Sequence, residues 1–293
     1  MFEKVLIPTD FSEYAQKTLE CIGDIPGVKE VVLLHVVDTA HLSKKGLVQD
    51  LYIQDARIRL EEQKKHLDNI GLKVKVKIEV ITGGDVSHAI LETLNKEKTT
   101  LVVMGAHGKS LIEGILLGSV ATDVLRYGNT HVLIMRHKFT EQHGAKKYEK
   151  LSPDVFSKVL LPVDFSEHAM ETLSFVKDLK GIKEAVLVHV VDKGETKEEI
   201  DTSIKEAKKR LEDIAKDFRS EGIKVKIHAL AGSPSESIIS LAEEEDVSLI
   251  IICTLGKGMF RELLLGGTAR DVVRRTNRSV LAVRARKKTE NYL

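Results

Sequence analysis

Along this chain, short apolar runs alternate with longer stretches in which apolar residues recur every three or four positions. In the first half, Val5–Pro8 reads as a strand and Ser12–Ile22 as a helix, with Ser12 placed to cap it. Val31–Val37 is almost continuously apolar, as a strand buried on both faces must be. Gln49–Ile70 has helical period, with Leu51, Ile58, Leu60 and Leu67 among its apolar positions. KVKVKIEV from Lys73 alternates strictly, which predicts an edge strand with one wet face. Val86–Leu94 reads as a helix, Leu101–Met104 as a buried strand, Val120–Tyr127 as a helix and His131–Met135 as a last strand. The order βαβαβαβαβ predicts a doubly wound α/β domain, a parallel sheet with helices on both faces. The order of strands within the sheet does not follow from the pattern.

The whole pattern is written twice. KVLIPTDFSEYAQKTLE from Lys4 returns as KVLLPVDFSEHAMETLS from Lys158, and VVLLHVVD from Val31 returns as AVLVHVVD from Ala185. HVLIMR from His131 returns as SVLAVR from Ser279. The period is far longer than the roughly 20–50 residues of a solenoid, so a complete domain has been duplicated. The expected units are 1–138 and 157–286, joined by a linker at 139–156 that is polar and lacks an apolar period.

Composition narrows the picture. The 293 residues, 42% apolar and 30% charged with 5 Pro, suit two well-packed globular domains. A net charge of +1 offers no footprint for nucleic acid or an anionic membrane, and no apolar run approaches the ~20 residues of a membrane span. The start, MFEKVLIPTD, has no signal-peptide character, and Cys21 and Cys253 read as separate reduced thiols, which places the chain in the cytoplasm. No His, Cys or carboxylate cluster has metal-site spacing.

Candidate chemistry gathers where strands end. In open α/β sheets ligands bind beyond the carboxyl ends of the strands. Asp10 follows the first strand, Val36–Asp38 ends the second, and Gly105 follows the fourth. Glycine lets backbone approach a ligand closely, and Gly118-Ser119 directly precedes a helix whose N-terminus favours phosphate. Ser119 adds a hydroxyl donor or caps that helix, while His107 and Lys109 place cationic or donor groups in the loop. The GKS at Gly108–Ser110 is not a P-loop, because a Walker A motif would need glycine where Val103 stands.

The spacing Gly105-x2-Gly108-x9-Gly118-Ser119, with VLIPTDFSE before it and HVVD ending the second strand, resembles the ATP-binding branch of the universal stress protein family. The resemblance covers both halves. It implies two five-stranded parallel sheets of order 3-2-1-4-5, an adenine-nucleotide alpha-hydrolase-like layout, with the nucleotide lying across the strand ends. It implies that Asp10 and the Val36 backbone hold adenosine, with Pro8 shaping the turn. Met104, Gly105, His107 and Gly108 would line the nucleotide, beside the Lys109 already read from the loop, and Gly118, Ser119 and Val120 would bind phosphate. The weaker counterparts are Asp164, Val190, Gly256, Gly266, Gly267 and Thr268. The implied ligand is ATP, with or without Mg²⁺; glycine spacing does not separate it from ADP, AMP or a cyclic nucleotide. The resemblance also implies a pseudo-dimer within the chain, Val132–Met135 lying antiparallel to Val280–Val283, and leaves further homodimerisation open.

The second copy departs from the first. Cys253 stands for Gly105, Leu255 for His107 and Gly267 for Ser119. If Gly105 has positive φ, the cysteine costs about 1 kcal/mol and crowds the ligand. Loss of the hydroxyl removes a hydrogen bond to phosphate worth roughly 1.5–3 kcal/mol. The expectation is asymmetry, with nucleotide held mainly by the first half. Asp10 and Asp164 have an alternative role as helix caps, and His35 and His189 read as packed residues. Three functions fit these residues: a nucleotide-dependent regulator read by an unidentified protein partner, a slow Mg-dependent ATP hydrolase, or a nucleotide-independent interaction module.

Overall fold

The computed structural model describes residues 2–40, 46–108, 117–142, 145–256 and 265–284. Its elements run β1 (Lys4–Pro8), α1 (Glu13–Leu19), β2 (Glu30–Asp38), α2 (Gly46–Asp68), β3 (Lys73–Ile81), α3 (Val86–Glu97), β4 (Leu101–Gly105), α4 (Ser119–Tyr127) and β5 (His131–Met135). An antiparallel hairpin follows, β6 (His137–Gln142) and β7 (Ala145–Lys150). The pattern then repeats as β8 (Lys158–Pro162), α5 (Glu167–Lys177), β9 (Glu184–Val191), α6 (Lys197–Ser220), β10 (Lys224–Ala231), α7 (Pro234–Glu244), β11 (Leu249–Cys253), α8 (Gly267–Arg275) and β12 (Ser279–Val283).

Ten strands form one sheet in the order β10-β9-β8-β11-β12-β5-β4-β1-β2-β3. Each half contributes a parallel 3-2-1-4-5 set, and the halves join where β12 runs antiparallel to β5, with Leu281 opposite Leu133. The alternation of strand side chains divides the core into two layers. One layer holds Val5, Ile7 and Leu33 with Leu60 and Leu67 of α2 in the first half, and Val159, Leu161 and Leu187 with Leu211 and Phe218 of α6 in the second. Leu6, Val32 and Leu34 face the other way, into the layer of Ile90 of α3 and Val124 of α4, which the second half repeats with Leu160, Val186 and Val188 beside Ile238 of α7 and Val272 of α8. The edges are β3 and β10, whose alternating lysines keep one side wet, as the KVKVKIEV pattern predicts.

Three expectations change. The helix after β1 ends at Leu19 rather than Ile22, giving way to a 3-10 turn at Ile22–Asp24 just before Pro26. In α2 the buried stripe is Ala56, Leu60 and Leu67, while Leu51 and Ile58 are 59% and 61% exposed. The stretch expected to be a plain linker forms the hairpin, because Tyr148 provides an apolar anchor too isolated to give a period. Tyr148 is buried against Tyr14 of α1, with ring centroids 5.2 Å apart, and Lys150 pairs with Asp24 at 2.8 Å.

Candidate functional site

The turn after β1 is built alike in both halves. Phe11 and Phe165 sit at φ 61° and 60°, a left-handed conformation that costs an aromatic residue energy and is held by its surroundings. The Phe11 ring packs on His35, centroids 4.3 Å apart, and the His35 Nδ1 lies 2.7 Å from the Thr9 carbonyl oxygen. Phe165, His189 and Val163 repeat this, at 4.5 Å and 2.6 Å. Each histidine is therefore a half-buried brace for the turn.

That strained turn aims Asp10. Its Oδ1 accepts from the Ser12 N–H at 3.0 Å and the Ser12 hydroxyl at 2.6 Å, and the Ser12 Oγ in turn accepts from the Ala15 N–H to cap α1. Asp10 thus supports the cap without being the cap. Its other oxygen, Oδ2, turns to the glycine loop, where a Cβ on Gly108 would lie 2.7 Å from it. Asp164 and Gly256 repeat the approach at 3.0 Å. Two residues nearly 100 positions apart in each half are brought into contact, and only glycine leaves room for the carboxylate.

On the far side of the loop stands α4. Its N-cap is Gly118, with no side-chain cap, so Ser119 is the first helical residue and is exposed rather than capping. Val120 packs partly on the core, and Gly118 is held by its N–H donating to the Ala106 carbonyl at 2.8 Å. The helix N-terminus accordingly presents uncapped N–H groups and its positive dipole end beyond β4. In the second half Gly266 is the N-cap of α8, also without a side-chain cap, and Gly267 and Thr268 follow it.

The second-half residues enclose a cavity of about 400 Å³. Pro162, Asp164, Val190, Cys253, Leu255, Gly256, Gly266, Gly267 and Thr268 all line it, along with Ile252 at the position of Met104. The sequence reading missed Asp192, Ser203 of α6, and Pro234 and Ile238 of α7, which close its sides. Asp192 ends the second HVVD and was legible there; the helix residues carry no signal beyond their apolar period. In the first half Pro8, Asp10, Val36, Met104, Gly105, His107 and Gly108 occupy the matching strand ends, Met104 being buried and the others partly so. Lys109 lies outside the described residues.

Two readings of the loop that the sequence left open can be narrowed. Gly105 does not have positive φ. A Cβ there would meet the Tyr14 ring, 2.6 Å from Cδ1 and 2.9 Å from Cε1, so glycine is required by packing on α1. The second half has His168 in place of Tyr14, and Cys253 fits without backbone strain. Burial, aided by the charge of Arg136, lowers the pKa of His107 and so disfavours its cationic form, and its ring stands edge-on to Tyr14 at 5.4 Å. Of the two roles the loop allows it, cation or hydrogen-bond donor, burial favours the second. Cys253, whose pKa burial raises, is an unactivated thiol.

Among the described residues no helix is long and apolar enough to cross a membrane, and no group of three or more His, Cys, Asp or Glu is placed to hold a metal ion. The sequence model of the universal stress protein family matches residues 1–136 and again 156–284. A universal stress protein of Methanocaldococcus jannaschii is 35% identical over 155 residues, covering 44% of this chain and 96% of its own. One from Synechocystis is 25% identical over 287 residues, covering 96% of this chain and 89% of its own. The crystal structure of a universal stress protein from Archaeoglobus fulgidus aligns with a TM-score of 0.69 at 27% identity, covering 96% of both chains. With the family pattern matched in both halves and a full-length structural counterpart, this chain belongs to the universal stress protein family.

Proposed function

We propose that this chain is an ATP-binding universal stress protein whose nucleotide occupancy, mainly in the first half, sets a surface read by a protein partner. The observation that carries the reading is the approach of Asp10 to Gly108 just beyond β4, where the uncapped start of α4 is also tied in by the Gly118 N–H donating to Ala106 O. In this reading Asp10, Pro8 and the Val36 backbone hold adenosine. Met104, Gly105, His107 and Gly108 line the nucleotide, and Gly118, Ser119 and Val120 receive phosphate on their N–H groups and the Ser119 hydroxyl. The matching second-half cavity, at about 400 Å³, is within the size range of nucleotide and cofactor pockets, which supports the fit of the fold to such a ligand. Any Mg²⁺ would be carried chiefly by the phosphates. The units acting in this way are 1–138 and 157–286.

Asymmetry rests on the phosphate end. Gly267 retains the backbone N–H but lacks the hydroxyl of Ser119, and Leu255 removes the polar group of His107. A lost hydrogen bond to a charged group, roughly 1.5–3 kcal/mol, lowers affinity about ten- to a hundredfold.

Equilibrium titration with MgATP tests the reading, wild type against Gly118→Val. Gly118 has φ −66°, and a Cβ there would meet only the Ala106 oxygen at 3.6 Å, so the variant retains its fold while the valine side chain fills the phosphate end. Loss of the tighter binding event supports the proposal; unchanged binding in a folded variant overturns the placement.

A further inference from the structure

Two arginines follow the last strands of the two halves, Arg136 after β5 and Arg284 after β12, and both are buried, at 5% and 9% exposure. Each crosses to the other half. The Arg136 guanidinium donates to the Val273 carbonyl at 2.7 Å, in the last turn of α8. Arg284 donates to the Leu125 carbonyl, in the last turn of α4. Their backbones cross as well: the Arg136 N–H donates to Ser279 Oγ at 3.0 Å, and the Arg284 N–H to His131 Nδ1 at 3.1 Å. Each guanidinium stands beside the negative end of a helix dipole, and burial lowers the pKa of both, that of Arg284 to about 10.

The hydrogen bonds close a circuit. The Gly118 N–H, at the start of α4, donates to Ala106 O at 2.8 Å, and the Ala106 N–H donates to Met135 O at 3.0 Å. The next residue is Arg136, which leads to the far end of α8. At the start of α8 the Gly266 N–H donates to Thr254 O at 2.7 Å, and the Thr254 N–H donates to Val283 O at 3.0 Å. The next residue is Arg284, which leads back to the end of α4. Each helix therefore has its N-terminus at its own crevice and its C-terminus gripped by a residue tied to the opposite crevice.

We infer that Arg136 and Arg284 are crossed positioning residues: Arg136 fixes α8 for ligand in the second-half crevice, and Arg284 fixes α4 for ligand in the first. The inference rests on the nucleotide reading of the crevices. A nine-residue helix held at one end by a buried cation keeps its axis when an anion arrives at the other end. Without the cation, the ligand must order the helix itself and binds more weakly.

The test is photolabelling with 8-azido-ATP at graded concentrations, followed by peptide mass mapping, which reports each half separately. Arg136→Met keeps side-chain volume and removes the charge; second-half labelling is expected to need roughly three- to tenfold more nucleotide, with the first half within about twofold of wild type. Arg284→Met gives the mirror result, and Arg136→Lys recovers part of the loss. Weakening confined to the variant's own half, or equal in both, overturns the crossed assignment and reduces the arginines to general stabilisers. If wild-type protein is labelled in neither half, the nucleotide reading fails instead. Hydrogen exchange then decides the arginine assignment without ligand. Arg136→Met should speed exchange in α8 and spare α4, and equal change in both helices overturns it.

Discussion

Gly105 offers a quantitative test of why the two copies differ. Replacing it by cysteine copies the second half into the first. The new Cβ would lie 2.6 Å and 2.9 Å from ring carbons of Tyr14 and 3.2 Å from the His107 oxygen. Carbon atoms prefer separations of about 3.5–4.0 Å, so the ring must move by close to an ångström. Tyr14 is poorly placed to yield. It is 4% exposed, its hydroxyl donates to the Met135 carbonyl at 3.3 Å and accepts from the His137 N–H at 3.2 Å, and its ring meets Tyr148 and His137. Overpacking of this kind costs roughly 1–3 kcal/mol. Tyr14→His alone loses the hydroxyl contacts, about 1–2 kcal/mol. The double variant Gly105→Cys/Tyr14→His reproduces the pair that coexists in the second half as Cys253 and His168. It should be less destabilised than the sum by about 1–2 kcal/mol, since neighbours that relieve each other's strain are not additive. Urea unfolding of wild type, both single variants and the double variant measures this coupling. A Gly105→Cys cost below about 0.5 kcal/mol, or strict additivity of the two changes, would refute the packing explanation.

Other consequences are equally direct. Gly267→Ser meets no atom within 4 Å at its Cβ, so it should fold normally and raise second-half ATP affinity by about tenfold, read by calorimetric titration. Ser119→Gly should lower first-half affinity by roughly ten- to a hundredfold with no loss of thermal stability beyond about 1 kcal/mol, since Ser119 caps nothing. Glu97, bonded to Lys75 and Lys4, and Glu245, bonded to Lys226 and Lys158, are each held down to about 2 from 4.5. Their folded pKa values lie below the unfolded ones, so their stabilisation is complete above pH 4.5 and is lost as pH falls toward 2. After discounting for the partly exposed lysines it amounts to about 1–2 kcal/mol each. Glu97→Gln should destabilise the protein at pH 7 and flatten part of the acid limb of its pH–stability curve.

The sheet was legible because its signals are local and doubled. Val31–Val37 could hardly be anything but a strand buried on two faces, and the strict alternation from Lys73 marked an edge. The antiparallel join of β5 and β12 came from the family resemblance and not from the residues themselves. The hairpin was illegible because one buried tyrosine, Tyr148, anchors it, and a single anchor makes no period. In α2, Leu51 and Ile58 match the helical period as well as Leu60 does; only the packing of the sheet decides which stripe is buried.

The site divides in the same way. Gly108 and Gly256 entered through the family's glycine spacing, but the group they make room for, the carboxylate of Asp10 or Asp164, is a three-dimensional fact. That Gly105 also seats the Tyr14 ring is likewise visible only in three dimensions. Ser203 and Ile238 reach the second-half cavity from helices whose sequence shows only amphipathicity.

The measurement that bears most directly on the central claim is the nucleotide content of the protein as purified, without added ligand. Denaturation followed by chromatography and mass spectrometry should release about one adenine nucleotide per chain, and the Gly267→Ser variant should release more. A wild-type chain that carries two equivalents bound equally tightly would contradict the asymmetry. A chain that carries none, and takes up none from added MgATP, would contradict nucleotide binding itself.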